Sequence, residues 1–115
     1  MKAKEVPSAA VSEEELFEMA NFHPRTTGLR FVVWFSGDPV ARHRRPRGKV
    51  RVGDEFYPFS LDVPVEWLAL PAPGISAKAF AELARFVEVN RAALLAYWDG
   101  RIDTSELASR LQSVR

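Results

Sequence analysis

The residues best suited to bind a ligand lie in one basic stretch, residues 42–51, which reads RHRRPRGKVR. It contains six Lys or Arg residues and one His in ten positions. Clustered cations attract polyanions, and a guanidinium group can bind a phosphate or a carboxylate through two parallel hydrogen bonds. We therefore predict that this stretch contacts nucleic acid or an acidic protein partner. The predicted binding residues are Arg42, His43, Arg44, Arg45, Arg47, Lys49 and Arg51.

The positive charge of the chain is concentrated around this stretch. Residues 25–51 hold eight Lys or Arg residues and one Asp, although the net charge of the whole chain is only +1. Residues 1–24 and 52–115 are both net acidic. One polarised region in a nearly neutral chain indicates a local binding surface. The alternative is a solvated loop that the repulsion between its own charges keeps open.

Two histidines, His23 and His43, are the candidates for acid–base chemistry. They lack the spacing of a metal motif, and the chain contains no Cys, which excludes thiolate metal sites and Cys nucleophiles. The sequence also lacks a Gly-rich phosphate loop and a nucleophile elbow. We therefore favour a protein without enzymatic activity, metal site or cofactor. The alternative is a small hydrolase or nuclease that uses His23 and His43.

A long amphipathic helix over residues 76–100 is the clearest structural element that the sequence predicts. Its apolar residues recur at spacings of three and four, Ser76 suits the N-cap, and Gly100 suits the position after the last turn. A second helix starts at Asp103, where Glu106 completes a capping-box spacing. Asn90 interrupts the apolar stripe of the long helix. If buried it needs a hydrogen-bond partner, and we expect it to fix the helix against the sheet.

The strands are predicted in the middle of the chain. Residues 29–35, LRFVVWF, are apolar on both faces of a strand, which favours the interior of a sheet. Residues 50–52 and 55–61 form a hairpin around Gly53-Asp54, and Pro58 places its second strand at an edge or a bulge. Residues 62–70 are predicted to form a further strand, and residues 39–49 are predicted to form a linker without regular structure.

Residues 1–20 are predicted to form a flexible extension with a short helix over residues 12–20. Residues 21–30 read as a loop in which Pro24 holds His23 extended. Residues 21–115 are predicted to form a single α+β domain, because the strands precede the helices as a group. Its architecture is a small, mostly antiparallel sheet of three to four strands, packed against a long helix and a short C-terminal helix.

The sequence predicts a cytoplasmic protein. No apolar run approaches the roughly 18 residues that span a bilayer, the N-terminus does not resemble a signal peptide, and cysteine is missing. We therefore expect no membrane partner. A homodimer, built on the aromatic strand or on the helix pair, is a third interpretation of the chain.

The strand, the basic segment ARHRRPRGKV, the hairpin and the helix ELARFVEVNRAALLAYWDG together resemble a small bacterial family of unknown function. The resemblance covers residues 28–100 and is carried by Asn90, Leu94, Leu95 and Trp98. His43 stands where the histidines of the family would fall, whereas the Pro-His-Phe-His motif that leads into a strand in that family is missing. The resemblance implies this order of elements and a regulatory context, since the family often occurs beside toxin–antitoxin-like genes.

Overall fold

The computed structural model describes residues 19–36 and 45–114. Four strands in these residues form one antiparallel sheet in the order β1-β2-β3-β4. A long helix and a short C-terminal helix accompany it, so the α+β class is confirmed. The elements in chain order are β1 (Met19–Phe22), α1 (Pro24–Thr27), β2 (Val33–Ser36), β3 (Arg47–Val52), β4 (Glu55–Ser60), α2 (Ala77–Trp98) and α3 (Thr104–Arg110).

The inner face of the sheet forms the core together with α2. The register places Phe22, Val33 and Val50 side by side in one row, and all three side chains are buried. Phe86 of α2 stacks on Phe35 of β2, with ring centroids 6.4 Å apart. The long helix therefore covers one face of the sheet, as predicted.

Gly48 lies in this inner face because no side chain fits there. It pairs with Phe35 on β2 and with Phe59 on β4, whose rings meet edge to face with centroids 5.9 Å apart. A Cβ atom on Gly48 would lie 2.6 Å from Cζ of Phe59 and 2.7 Å from Cε1 of Phe35. A glycine within the basic stretch is thus a core position.

The predicted ends of α2 and the predicted start of α3 are confirmed. The Ser76 hydroxyl accepts a hydrogen bond from the Ala79 N–H at 3.1 Å, which caps α2. Gly100 follows α2 with a left-handed φ of 76°, a conformation that glycine adopts without steric cost. The Asp103 carboxylate accepts from the Glu106 N–H at 2.7 Å and caps α3.

Asn90 is buried in α2, and the prediction that it needs a hydrogen-bond partner is confirmed. Its amide nitrogen donates to the carbonyl oxygens of Phe86 and Gln112, both at 2.9 Å, and its oxygen accepts from the Gln112 N–H at 2.7 Å. The expected contact with the sheet is wrong. Asn90 instead holds the segment after α3, because the extended backbone there has peptide groups without helical partners.

The N-terminal predictions need correction. Met19 and Ala20 belong to β1, so the predicted helix over residues 12–20 is wrong at its end; residues 12–18 lie outside the described residues. Residues 21–30 are not a plain loop, because they contain the end of β1 and all of α1. Residues 19–22 form a strand because pairing with β2 buries Ala20 and Phe22 in the core. His23 is extended before Pro24, at φ −90° and ψ 163°, as predicted.

The aromatic strand is shorter than predicted. β2 begins at Val33, and Leu29 is instead fully buried in the bend that follows α1. The predicted interior position of the strand is confirmed, because β2 lies between β1 and β3. Its two faces are unequal, however: Val33 and Phe35 are buried, whereas Trp34 on the other face is only half-buried.

β4 is at the edge of the sheet, as Pro58 predicted. The predicted strand over residues 62–70 is wrong: Trp67 forms only an isolated bridge with Phe59. The chain reverses between Ser60 and Glu66, where the Ser60 N–H donates to the Glu66 carbonyl oxygen at 2.9 Å. This reversal leaves too few residues alongside β4 for a continuous ladder.

Candidate functional site

The C-terminal half of the basic stretch forms a strand rather than a linker. β3 begins at Arg47, so the prediction of an irregular linker over residues 39–49 is wrong for its last three residues. Gly48 and Val50 point into the core and are buried, and the basic residues alternate with them. The strand has the two-residue period of a sheet with one solvent-facing side.

The three basic residues of β3 lie on the outer face of the sheet, opposite the core. Residues paired across antiparallel strands share a face. Lys49 pairs with Trp34 on β2, and Arg51 pairs with Phe56 on β4. These pairings bring together four side chains, and Arg47, which pairs with the buried Ser60, lies beside Lys49 on the same face. We call this group of five side chains the basic–aromatic face. Its members are Trp34, Arg47, Lys49, Arg51 and Phe56.

The aromatic and cationic groups of this face are in mutual contact. The rings of Trp34 and Phe56 meet edge to face, with centroids 5.5 Å apart and an angle of 87° between the planes. Their strands are separated by β3 and thus by about 9.6 Å, so the two side chains lean over β3 towards each other. Lys49 Nζ lies 5.8 Å from the Phe56 centroid, and Arg51 Cζ lies 6.0 Å from it. These are cation–π distances.

Two members of this face, Arg51 and Phe56, are exposed, and the other three are partly buried. Phe56 is 37% exposed, although it is a large apolar residue, and Arg51 is also exposed. Arg51 Nε donates to the Gly53 carbonyl oxygen at 2.8 Å, and a terminal nitrogen lies 3.6 Å from the fully exposed carboxylate of Asp54. Such an exposed ion pair is weak and screened by salt, so it does not compete strongly with an external anion.

Trp34 contributes a hydrogen-bond donor to the same face. Its Nε1 is buried, and no acceptor for it occurs in the described part of the chain. The indole N–H can only donate, and leaving such a buried donor unpaired costs about 1–3 kcal/mol. Polar groups in this position are usually matched by a water or a ligand.

The hairpin that ends β3 is confirmed. Val52 pairs with Glu55 across the two-residue connection Gly53-Asp54, and Gly53 has a φ of 62°. Both turn types that favour two-residue hairpins require a positive φ at this position. The turn fixes the register that places Arg51 beside Phe56.

Arg45 has a different environment from the basic residues of β3. Its Nε donates to the Asp62 carboxylate at 2.6 Å, and a terminal nitrogen lies 3.6 Å from the Glu66 carboxylate. The hydrogen bond to Asp62 raises the pKa of the Arg45 guanidinium. Arg91 joins the same network, 4.0 Å from Asp62. Carboxylates of the chain itself therefore surround Arg45, and it supports the loop after β4.

The remaining predicted site residues are Arg42, His43, Arg44 and His23. Arg42, His43 and Arg44 lie outside the described residues. His23 is exposed at the start of α1, where its carbonyl oxygen accepts from the Thr26 N–H at 2.9 Å. The structure thus brings Arg47, Lys49 and Arg51 together and does not describe His23 and His43 as a pair. In the described ranges, no group of three or more His, Asp or Glu side chains is arranged to hold a metal ion.

Sequence reasoning missed Trp34 and Phe56 as members of the site. Trp34 was assigned to a strand covered on both faces, and Phe56 to the hairpin without a role. The available signal was the alternation of basic residues at positions 47, 49 and 51, which marks a strand with a charged face. Once residues 47–51 are recognised as a strand, the pairing with β2 and β4 identifies the residues that lie beside them on that face.

Comparisons with protein-family models, with characterised proteins and with solved structures give no match to this chain. A functional interpretation therefore depends on the site itself. Over the ranges that the structure describes, no helix combines the length and apolarity needed to cross a membrane.

Proposed function

We propose that this protein is a non-enzymatic, cytoplasmic binding module that contacts nucleic acid through its basic surface. The observation that supports the proposal best is the alternation within β3. Its inward residues Gly48 and Val50 are buried in the core, while Arg47, Lys49 and Arg51 share the outer face. Rigid pairing within the sheet orders the backbone of these cations before a ligand binds, which lowers the entropy cost of binding.

Nucleic acid fits this surface better than an acidic protein does. Arginine and lysine supply charge for phosphates, and aromatic rings beside them supply apolar area suited to bases. Residues 42–44, which precede β3 by two residues in the sequence, contain two further arginines and a histidine. An acidic protein partner would use the cations but would leave the exposed Phe56 ring without a specific role.

The test is the salt dependence of binding to fluorescently labelled oligonucleotides. We compare the native protein with the triple variant Arg47→Ala, Lys49→Ala, Arg51→Ala. Each lost phosphate contact lowers the slope of log K against log salt by about 0.7 for a single strand and about 0.9 for a duplex. We therefore expect the triple variant to lose about 2 to 3 units of slope and most of its affinity at physiological salt.

The matched control removes three exposed arginines elsewhere, Arg85→Ala, Arg101→Ala and Arg110→Ala. It changes the net charge equally but leaves the basic–aromatic face intact, so its slope should match that of the native protein. An equal loss in both triple variants would mean that only net charge matters and would refute the proposed surface. No binding to any oligonucleotide at low salt would leave an acidic protein as the partner to pursue.

The same experiments separate the alternatives. Cleavage of the labelled oligonucleotide, lost in the His23→Ala, His43→Ala variant, would support a nuclease in place of a binding module. Sedimentation equilibrium reports on the homodimer. A concentration-dependent dimer whose formation buries the basic–aromatic face would compete with nucleic acid for the same residues.

A further inference from the structure

We infer that the basic–aromatic face selects single-stranded nucleic acid, with a base stacked on Phe56 and the phosphates bound along β3. This inference rests on the proposed function. It adds the strandedness of the ligand and the side chain that contacts the bases. The phosphate-binding groups are Arg47, Lys49 and Arg51.

Phe56 has the environment of a stacking platform. Its ring is 37% exposed, its position is fixed by the edge-to-face contact with Trp34, and two cationic groups lie within 6.0 Å of its centroid. An exposed apolar residue alone is common on protein surfaces. Here the exposed ring lies among cations on an ordered strand. This is the combination that binds single strands, where every base offers a face for stacking.

The width of the sheet disfavours a duplex. Four strands at about 4.8 Å spacing place the outer strands about 14 Å apart, which exceeds the major-groove width of about 12 Å. A duplex lying on the flat face would therefore offer phosphates but keep its bases stacked inside, away from Phe56. A flexible single strand can instead follow β3, whose outward residues repeat about every 6.8 Å, and can turn a base towards the ring.

Trp34 adds a hydrogen-bond donor next to the ring of Phe56. Its Nε1 is buried without an acceptor among the described residues, beside the ring of Phe56. Phosphate oxygens and base carbonyl groups are acceptors, and nucleic acid provides both. Because Nε1 itself is buried, a bound strand accepts from it only if the Trp34 ring turns outwards.

The experiment measures fluorescence anisotropy with a labelled single-stranded oligonucleotide and with a duplex of the same sequence, at several salt concentrations. The variants are Phe56→Leu, which keeps an apolar side chain without a π face, and Phe56→Tyr, which keeps the ring. The control is Val89→Ala, on the exposed side of α2 and away from the outer face of the sheet. Circular dichroism confirms that each variant is folded.

We expect the native protein to bind the single strand more tightly than the duplex. Phe56→Leu should weaken single-strand binding between about fivefold and 150-fold, the range that stacking of one base supports, without changing the salt slope. Phe56→Tyr and Val89→Ala should bind like the native protein. The single strand should also quench tryptophan fluorescence, and Trp34→Phe should abolish this quenching although Trp67 and Trp98 remain.

Two results would overturn the inference while leaving the proposed function intact. The first is duplex binding at least as tight as single-strand binding. The second is an unchanged affinity in Phe56→Leu together with a loss in the triple variant of β3. Failure of the native protein to bind either oligonucleotide at low salt would instead refute the proposed function, so the two failures are distinguishable.

Discussion

Replacing Gly48 with Ala should destabilise the fold more than its small volume suggests. Gly48 lies in the inner face between Phe35 and Phe59, and an added Cβ would approach atoms of these rings at 2.6 to 2.8 Å. Contacts this short do not occur in relaxed structures. Neither ring can move away easily, because both are buried and Phe35 also stacks on Phe86.

The magnitude follows from the cost of overpacking. Extra methylene or methyl groups in a close-packed core typically cost about 1–3 kcal/mol of unfolding free energy, because neighbouring side chains and backbone must shift. Two rings must shift here, so we expect about 2–3 kcal/mol. In a domain of this size such a loss lowers Tm by about 10 °C or more.

The assay is urea unfolding followed by circular dichroism. Lys49→Ala is the control, because it changes the next residue of the same strand on the outer face and should cost about 1 kcal/mol or less, the size of its cation–π contact with Phe56. The double variant Gly48→Ala, Phe59→Leu makes room for the methyl group. In the Phe59→Leu background, Gly48→Ala should lower the free energy of unfolding by about 1 kcal/mol less than in the native protein, as expected for residues in direct contact. A loss below about 0.5 kcal/mol in Gly48→Ala alone would refute the packing described for the inner face.

Two further substitutions test the C-terminal contacts. Asn90→Ala removes the hydrogen bonds to both peptide groups of Gln112 and should cost about 1–3 kcal/mol, with amide exchange after α3 rising first; unchanged exchange protection there would contradict the contact. Tyr97→Phe removes the 2.8 Å hydrogen bond between the Tyr97 hydroxyl and Thr104 and should cost about 1 kcal/mol in urea unfolding. A matching loss in Thr104→Val that is not additive with Tyr97→Phe would confirm that the pair acts together.

The helix ends and the hairpin turn could be predicted because their causes are local. Ser76 and Asp103 cap the helices that follow them through bonds to residues three positions away. Gly53 and Gly100 supply positive φ values that other residues rarely adopt. The edge position of β4 followed in the same way from Pro58, which lacks the N–H of a central strand.

The candidate site could be predicted only in part. Its charge was visible in the composition of residues 42–51, but Lys49 and Arg51 acquire their neighbours Trp34 and Phe56 through pairing with other strands. The sequence predicts only residues 50–52 of β3 as a strand, because Gly48 and Lys49 have a low strand propensity on their own. The tertiary structure places Arg45 outside β3, in a network with Asp62 and Glu66 at the loop after β4.

The sequence by itself determined both ends of α2, the start of α3 and the position of the hairpin turn, since caps and turns are made by neighbours in the chain. Only the tertiary structure decided that Met19 and Ala20 form a strand, that Asn90 binds Gln112 rather than the sheet, and that the basic residues of β3 share a face with two aromatic rings. Each of these outcomes depends on residues distant in sequence. Burial and pairing across such distances outweigh the weak local preferences that a sequence reveals.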